Sequence, residues 1–268
     1  MTKKTKIWLV VGIVLIILGG AIVGGWYFFV YSNRDSNPWN APTIGDIPLP
    51  IGYKRIPMED ASFGAWLREL PLKERGTKVY LYKQKQTANY QWLSSAVVNI
   101  PLLSNDEQCA DVCMHLWAEY LFSQGKYSEI CFTTLKGETL RYTGGNNRKA
   151  FKSYLKKVFG LCNTTSLCAS IKTRALKDLQ PGDVFVYPHH MVAGKDHYGH
   201  AVMVADVVIN KRTGKKAFLL VEGNTPARDI HIVRNLNPFR NPWFILDENT
   251  TTLQLNVFRF KADDLRHF

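Results

Sequence analysis

An uninterrupted apolar run opens the chain. No charged residue occurs from Ile7 to Tyr31, and at about 1.5 Å per residue a helix of this length can cross a hydrocarbon core roughly 30 Å thick. Three lysines precede the run, whereas Arg34 and Asp35 follow it. Because positive charge stays on the cytoplasmic side, the pattern predicts a cytoplasmic N-terminus (residues 1–6), a transmembrane signal anchor (residues 7–31) and export of the rest.

A cleaved signal peptide is the alternative to an anchor. The apolar region of a signal peptide usually spans only about 7–15 residues, and no clean A-x-A cleavage site is present, so the anchor is favoured. Residues 32–46 are polar and contain Pro and Gly, which predicts a juxtamembrane linker. A single globular, exported domain is predicted over residues 47–268, which is long enough to bury one sizeable core.

Helical periodicity is concentrated in the first half of this domain. Residues 106–123 place their apolar side chains on one face, which predicts a helix capped by Asn105 or Ser104. Shorter helices are predicted over FGAWLREL, capped by Ser62, and over NRKAFKSYLKKVF.

From Asp183 onward the pattern changes to short segments rich in β-branched and aromatic residues, which are typical of strands. These segments are DVFVYP, HAVMVADVV, KAFLLVE, DIHIV and LQLNVFRF. Earlier in the chain, KVYLY and AVVNI also resemble strands, and EICFTTLKGETLRY resembles a hairpin. Helices followed by a meandering sheet indicate an α+β fold rather than alternating βαβ units.

Two of these strands bring chemical groups to one end of the sheet. GHAVMVADVV is apolar on both faces, so it is predicted to be a central strand that begins at His200. The turn NKRTGKK then leads to AFLLVEGN, whose antiparallel return places Glu222–Asn224 within a residue or two of His200. An oxygen that accepts the imidazole N–H fixes its tautomer and orientation, as in catalytic triads. The alternative is a surface histidine beside an ordinary turn.

The stretch EQCADVC (residues 107–113) places two cysteines on one face of the predicted helix. Cys109 lies near the helix start, where the dipole and free N–H groups stabilise a thiolate and an oxyanion. Cys113 lies one turn deeper and is interpreted as a buried small hydrophobe or a disulfide partner. Burial as a small hydrophobe is also the alternative for Cys109.

Several of these motifs together resemble the CHAP amidases, a branch of the papain-like cysteine peptidases. The similar segments are Gln108-Cys109 at a helix start, the Pro-Gly-Asp strand, Gly199-His200-Ala201-Val202 and VEGN. The resemblance implies a papain-like (CHAP/NlpC-like) α+β fold, in which a helix packs on an antiparallel sheet. CHAP enzymes cleave amide bonds in peptidoglycan or related peptides.

The same resemblance implies a role for each matching residue. Cys109 would be the nucleophile, His200 the general base, Glu222 the residue that orients His200, and Asn224 an accessory residue, while Gln108 would help to stabilise an oxyanion. Two features depart from the CHAP pattern: the Cys-to-His separation is long, and Ala110-Asp111 replaces a run that normally contains an aromatic residue.

A second resemblance covers most of the globular domain. The segments SFGAWLRELPLK, QCADVCMHLWAEYL, PGDVFVYP, GHAVMVADV and NPWF resemble a bacterial domain-of-unknown-function family of exported proteins. This family implies no established activity, so the functional prediction depends on the site.

Histidines and the other cysteines offer further possibilities. The segment HHMVAGKDHYGH contains His189, His190, His197 and His200, and His197-x-x-His200 is a plausible zinc spacing. No third ligand is fixed by the pattern, so neither a metal nor another cofactor is expected. Cys162 and Cys168 flank NTTSL and are a possible disulfide in an oxidising compartment, and Cys113 with Cys131 is another.

The net charge of +12 and the pI near 9.5 favour anionic partners. No nucleic-acid motif accompanies the charge, so no nucleic-acid partner is predicted. The membrane, through the N-terminal helix, and cell-wall peptide or anionic wall polymer are the predicted partners. The sequence thus predicts a membrane-anchored thiol hydrolase in the periplasm or at the cell surface. The alternative is an inactive papain-like module that binds wall polymer or a protein.

Overall fold

The structure, a computed structural model, describes residues 3–32, 35–192, 194–237 and 239–268. Its α-helices are α1 (Lys3–Ser32), α2 (Phe63–Arg68), α3 (Cys109–Ser123), α4 (Arg148–Leu161) and α5 (Thr164–Ser170). Its strands are β1 (Tyr53–Arg55), β2 (Ser94–Val97), β3 (Cys131–Thr133), β4 (Thr139–Arg141), β5 (Lys172–Thr173), β6 (Val184–Tyr187), β7 (His190–Val192), β8 (Lys195–His197), β9 (His200–Asn210), β10 (Lys216–Glu222), β11 (His231–Val233), β12 (Phe244–Ile245), β13 (Thr252–Leu255), β14 (Phe258–Lys261) and β15 (Leu265–His267).

A large antiparallel sheet organises the domain. Its strand order is β2-β11-β10-β9-β6-β15-β5, with β1 added beside β9 and β12 beside β10. Strand β9 is buried along most of its length, as expected for a central strand that is apolar on both faces. The predicted α+β class is therefore confirmed.

Alternate residues of β9 face two different cores, because side chains on a strand alternate between the faces of the sheet. Ala201 and Met203 belong to the core that is shared with α3 and α4. Val202 and Val204 belong to the opposite core, which includes Phe260 of the β13–β14 hairpin. The sheet thus has helices on one face and a short hairpin on the other.

Most of the predicted elements are present. Ser62 Oγ accepts a hydrogen bond from the Ala65 N–H and so caps α2. The hairpin β3–β4 forms around Gly137, and α4 covers the predicted second amphipathic helix. KVYLY, in contrast, forms only isolated bridges at Tyr80 and Leu81.

The start of α3 differs from the prediction. The helix begins at Cys109 and its N-cap is Gln108, not Asn105 or Ser104. Residues 107 and 108 precede the helix because Glu107 turns inward: its Oε2 accepts a hydrogen bond from the Leu103 N–H at 2.6 Å. Cys109 therefore occupies the first helical position, one turn closer to the positive end of the dipole than a helix over 106–123 would place it.

The predicted linker is also shorter than its predicted span of residues 32–46, of which 33 and 34 lie outside the described residues. Asn37, Ala41 and Ile44 are buried. The Asn37 amide donates to the carbonyl oxygens of Ala41 and Lys73. Since these contacts belong to the core, the folded domain begins about ten residues before residue 47.

Helix α1 is a candidate membrane anchor. Its segment Trp8–Trp26 has 19 residues with a mean hydropathy of 2.5, and none of it is buried against the rest of the chain. A long apolar helix without a protein partner is suited to a hydrocarbon environment.

Candidate active site

Two glycines let helices approach the end of the sheet. A Cβ at Gly223, directly after β10, would overlap the side chain of Val112 in α3. A Cβ at Gly199, directly before β9, would overlap Thr164 at the start of α5. Only glycine permits such close contact, so these two positions set where α3 and α5 begin relative to His200 and Glu222.

Cys109 and His200 meet at this point. Each side chain shifts the pKa of the other through a side-chain hydrogen bond and through its charge, and both are nearly inaccessible to solvent: 7% of Cys109 and 3% of His200 is exposed. The fold therefore brings the first residue of α3 next to the first residue of β9, which are distant in the sequence. A thiol in contact with an imidazole is the arrangement of an activated nucleophile and its base.

The other ring nitrogen of His200 is held by Glu222. His200 Nε2 lies 3.2 Å from Glu222 Oε2, so Nδ1 is the nitrogen left for Cys109. The predicted pairing of these strands, which brings Glu222 level with the start of β9, is found in the structure, where Val221 lies opposite Met203. A carboxylate on the far nitrogen fixes the orientation of the ring.

A second histidine, His231, binds the same carboxylate. Its Nε2 lies 3.2 Å from Glu222 Oε1, and its Nδ1 donates to the Asp229 carbonyl oxygen at 2.9 Å. The His231 ring is therefore held between a carboxylate oxygen on one side and a backbone carbonyl oxygen on the other. Each oxygen of Glu222 thus has its own histidine donor.

The electrostatics favour an ionised pair at Cys109 and His200. Burial raises the pKa of the Cys109 thiol. His200 and the backbone N–H groups of Ala201 and Ala110 together lower it by a larger amount, so the net pKa lies below the ordinary value of 9.0. Burial lowers the pKa of His200, yet Cys109 and Glu222 raise it to about 9. Thiolate and imidazolium therefore stabilise each other.

Glu222 remains ionised in this surrounding. Burial raises the pKa of its carboxyl group, but the hydrogen bonds and charges of His200 and His231 outweigh burial and lower the pKa to about 2. A carboxylate that stays charged keeps His200 protonated and orients its ring.

Phe258 covers the face of the His200 ring. The ring centroids lie 3.4 Å apart with an interplanar angle of 13°. The aromatic ring, carried by β14 from the far end of the chain, restricts rotation of the imidazole and shields it from water. Shielding of this kind strengthens the interactions of His200 with Cys109 and Glu222.

An open cleft of about 640 Å³ gives access to this group. Cys109, His200, Gln108 and Asn224 are among the residues that line it. The side-chain oxygen of Gln108 accepts a hydrogen bond from Thr225 Oγ1 at 2.7 Å, which makes the NH₂ group the donating end of the Gln108 amide. The volume lies within the range of ligand-binding sites in proteins, which combine apolar walls with a few polar groups.

Asn224 lies in the cleft but does not orient His200. Its Oδ1 accepts a hydrogen bond from the Thr225 N–H at 2.8 Å, and Glu222 occupies His200 Nε2. The predicted accessory residue is therefore part of the cleft wall, while Glu222 makes the contact that orients His200 Nε2.

The predicted disulfide between Cys162 and Cys168 is not formed in the structure, and Cys113 and Cys131 are also free thiols. Cys162 follows α4 and its Sγ donates to the Thr133 carbonyl oxygen at 3.3 Å. Cys168 lies inside α5 and its Sγ faces the Val186 carbonyl oxygen instead. The residues between them form a helix rather than the turn that a bridge would need, so the two sulfurs point to different strands.

Cys113 is a packing residue. It is fully buried, its Sγ donates to the Cys109 carbonyl oxygen, and burial raises its thiol pKa well above the ordinary value. The two cysteines of one helical face thus have opposite ionisation behaviour, because only Cys109 contacts a histidine.

The other three histidines of HHMVAGKDHYGH lie on or next to the β7–β8 hairpin, and His189 also lines the cleft. His190 and His197 face each other across the exposed β7–β8 hairpin, and His189 lies 3.0 Å from Asp196. Among the described residues, no three His, Cys, Asp or Glu side chains are grouped closely enough to hold a metal ion.

Sequence reasoning missed His231 and Phe258. The signal for His231 was present, because DIHIV follows KAFLLVE, and an antiparallel return of that strand puts His231 directly opposite Glu222. Phe258 gave no such signal, since its contact with His200 depends on how the β13–β14 hairpin folds over the sheet.

Comparison with families of known proteins matches residues 45–146 and 141–267 to a family described as "Domain of unknown function (4846)". These two segments span nearly the whole globular domain, so the chain belongs to this family. Comparison with curated proteins and with solved structures finds no match.

Proposed function

We propose that the protein is a membrane-anchored thiol hydrolase of amide bonds, with a papain-like architecture, that acts on cell-wall peptide outside the cytoplasm. The observation that carries the proposal is the contact of Cys109, at the first position of α3, with His200, whose other nitrogen is held by Glu222. A nucleophile, a base and a residue that orients the base are the three parts of a triad.

In the first half of the reaction, the Cys109 thiolate attacks the carbonyl carbon of the scissile amide. The new C–S bond pushes the carbonyl electron pair onto oxygen and forms a tetrahedral intermediate. His200 Nδ1–H then donates its proton to the amide nitrogen, the C–N bond breaks, and the amine leaves. A thioester on Cys109 and a neutral His200 remain.

In the second half, a water molecule enters the cleft and His200 Nδ1 takes one of its protons. The resulting hydroxide attacks the thioester carbonyl, and collapse of the second tetrahedral intermediate breaks the C–S bond. The carboxylic acid product leaves, its acidic proton lost to solvent, and the thiolate–imidazolium pair is restored. Glu222 stabilises the imidazolium in both halves and does not itself transfer a proton.

Donors for the oxyanion are present at the helix start. The Cys109 backbone N–H is free of an intrahelical partner because it lies in the first turn, and the NH₂ group of Gln108 lines the same cleft. Preorganised donors near a developing oxyanion supply a large part of catalysis in acyl transfer.

Two features support a cell-wall substrate. Helix α1 would hold the domain at the outer surface of a membrane, with Lys3, Lys4 and Lys6 inside. The net charge of +12 would attract the anionic polymers that surround wall peptides.

The test uses full-length protein in detergent and soluble wall peptide fragments. Cys109→Ala is expected to abolish the release of new amino groups, whereas Cys131→Ala, which removes a half-buried thiol outside the cleft, is expected to retain it. Equal release by wild type and Cys109→Ala would contradict the proposal. Fragment binding that survives Cys109→Ala and His200→Ala, with no release by any variant, would establish the inactive binding module instead.

A further inference from the structure

A second cavity adjoins the cleft at Cys109. It has a volume of about 290 Å³ and shares Asn224, Thr225 and Phe258 with the cleft. Glu222, His231 and Arg228 also line it. A substrate that lies in the cleft therefore has a side pocket next to the reacting groups.

Arg228 is the unusual residue of this cavity. Only 9% of it is exposed, and its hydrogen bonds go to the backbone carbonyl oxygens of Pro226, Asn89 and Thr225 at 3.2–3.3 Å. These bonds are long and use three of the five guanidinium N–H donors. Among the described residues, no carboxylate forms an ion pair with Arg228.

The nearest carboxylate is already engaged. Glu222 binds His200 through Oε2 and His231 through Oε1. Both oxygens of Glu222 therefore already have a histidine partner, and among the described residues no hydrogen bond joins Glu222 to Arg228. The Arg228 guanidinium thus lines the cavity with backbone carbonyl oxygens as its hydrogen-bond partners, and a buried charge is costly unless an anion pairs with it.

We propose that this cavity is a specificity subsite for a carboxylate of the substrate, and that Arg228 binds it. The guanidinium fork matches the two oxygens of a carboxylate, and such charge-assisted pairs are among the strongest hydrogen bonds in proteins. The inference rests on the proposed function, which places a peptide substrate in the cleft. It adds the substrate class: acidic peptides with a carboxylate close to the scissile amide.

The experiment measures binding rather than turnover, so that it does not depend on catalysis. Full-length Cys109→Ala protein in nonionic detergent is titrated into two labelled peptides that carry a neutral dye and differ only by Glu or Gln at one position. The expected result is a preference for the Glu peptide of roughly tenfold. In the double variant Cys109→Ala/Arg228→Gln, the preference for the Glu peptide is expected to fall below about twofold, because one charged hydrogen bond is lost.

Two controls separate the local contact from other effects. Lys85→Gln removes one exposed positive charge and is expected to keep the preference, which excludes a general effect of net charge. Arg228 also donates to nearby backbone carbonyls, so Arg228→Gln could fail to fold. In that case Arg228→Lys is used, provided that its melting temperature equals that of the wild type. Lysine keeps the charge but lacks the two-pronged guanidinium, so a reduced preference for the Glu peptide is expected.

The outcomes distinguish this subsite from the proposed function. Equal affinity for the two peptides, or a preference that survives the changes at Arg228, would overturn the subsite and leave hydrolysis untouched. A preserved preference for Glu in a wild-type protein that releases no amine would support the subsite and overturn only the hydrolase.

Discussion

Two buried histidine networks contact helix α3, and they differ in what completes them. His200 contacts Cys109 and Glu222 and opens onto the cleft. His115 lies between Glu107, at 2.6 Å, and Glu119, at 3.1 Å, and Arg148 pairs with Glu119 through both of its terminal nitrogens. In both networks, burial lowers the imidazole pKa but the partners raise it to about 9.

The comparison shows that a raised histidine pKa does not by itself identify a reactive site. His115 has two carboxylates as partners and is 1% exposed, so its charge is satisfied and out of reach of a substrate. His200 has one carboxylate and one thiol, and that thiol faces a cleft. The nucleophilic partner and the access distinguish the proposed catalytic histidine from the structural one.

The His115 network nevertheless supports the site. Glu107 connects the Leu103 N–H to His115, and it is followed directly by Gln108 and Cys109. The network therefore fixes the loop that leads into the helix start, and so positions the thiol indirectly.

The largest expected effect separates the two histidines by activity. His200→Ala is expected to lower amide hydrolysis by about 10³-fold, because the base and proton donor are lost. His115→Gln, measured in the same amine-release assay at a temperature where it is folded, is expected to retain at least a tenth of wild-type activity. Similar losses in both variants would show that the comparison is wrong.

Stability is expected to show the reverse order. His115→Gln removes one partner of a buried ion pair and should cost about 3–5 kcal/mol of unfolding free energy at pH 6. The folded-state pKa of about 9 exceeds the ordinary 6.5, so this contribution is fully present below pH 6.5 and is lost as the pH rises through 9.

Thermal melting of wild type and His115→Gln between pH 5 and pH 10 checks this sign. The difference in melting temperature is expected to be largest below pH 6.5 and smallest at pH 10. A difference that grows with pH would mean that His115 is buried as a neutral imidazole.

A smaller effect is expected at His231, which shares Glu222 with His200. His231→Gln should lower kcat by roughly 10- to 100-fold, the range typical of residues that orient a functional group through another one. Because His231 also lines the cavity proposed for the substrate carboxylate, the comparison uses a substrate without a carboxylate at that position, for which KM should change little. A lower kcat together with a shift in the pH dependence of kcat would support a positioning role for His231. A loss of stability without a change in that pH dependence would show that its role is only structural.

The sequence predicted the secondary-structure elements of this site better than the tertiary contacts between them. The helix at Cys109, the strand at His200 and the return to Glu222 follow from short-range periodicity and turn residues, and the proximity of His200 to Glu222 followed from counting residues in the β9–β10 hairpin. The partner of His200 Nδ1 could be suggested only by resemblance, because Cys109 and His200 lie about ninety residues apart in the chain and meet through tertiary packing.

Other features depended on interactions that periodicity does not encode. Helix α3 begins at Cys109 rather than at residue 106 because the Glu107 side chain turns inward and binds the buried His115. Asn37 joined the core because its amide satisfies two backbone carbonyls, which a polar composition does not indicate. The position of Phe258 over His200 arises from packing of a separate hairpin.

The central claim is that His200 activates Cys109, and the most direct measurement is the pH dependence of alkylation of Cys109 by iodoacetamide, followed by mass spectrometry of the labelled peptide. In wild type, labelling is expected to persist well below pH 9, because His200 and the N–H groups lower the pKa of Cys109 despite its burial. In His200→Ala, burial remains and the midpoint is expected to move above 9, while Cys113 in the same peptide stays unlabelled in both. A wild-type midpoint at or above 9 that His200→Ala does not change would contradict the account.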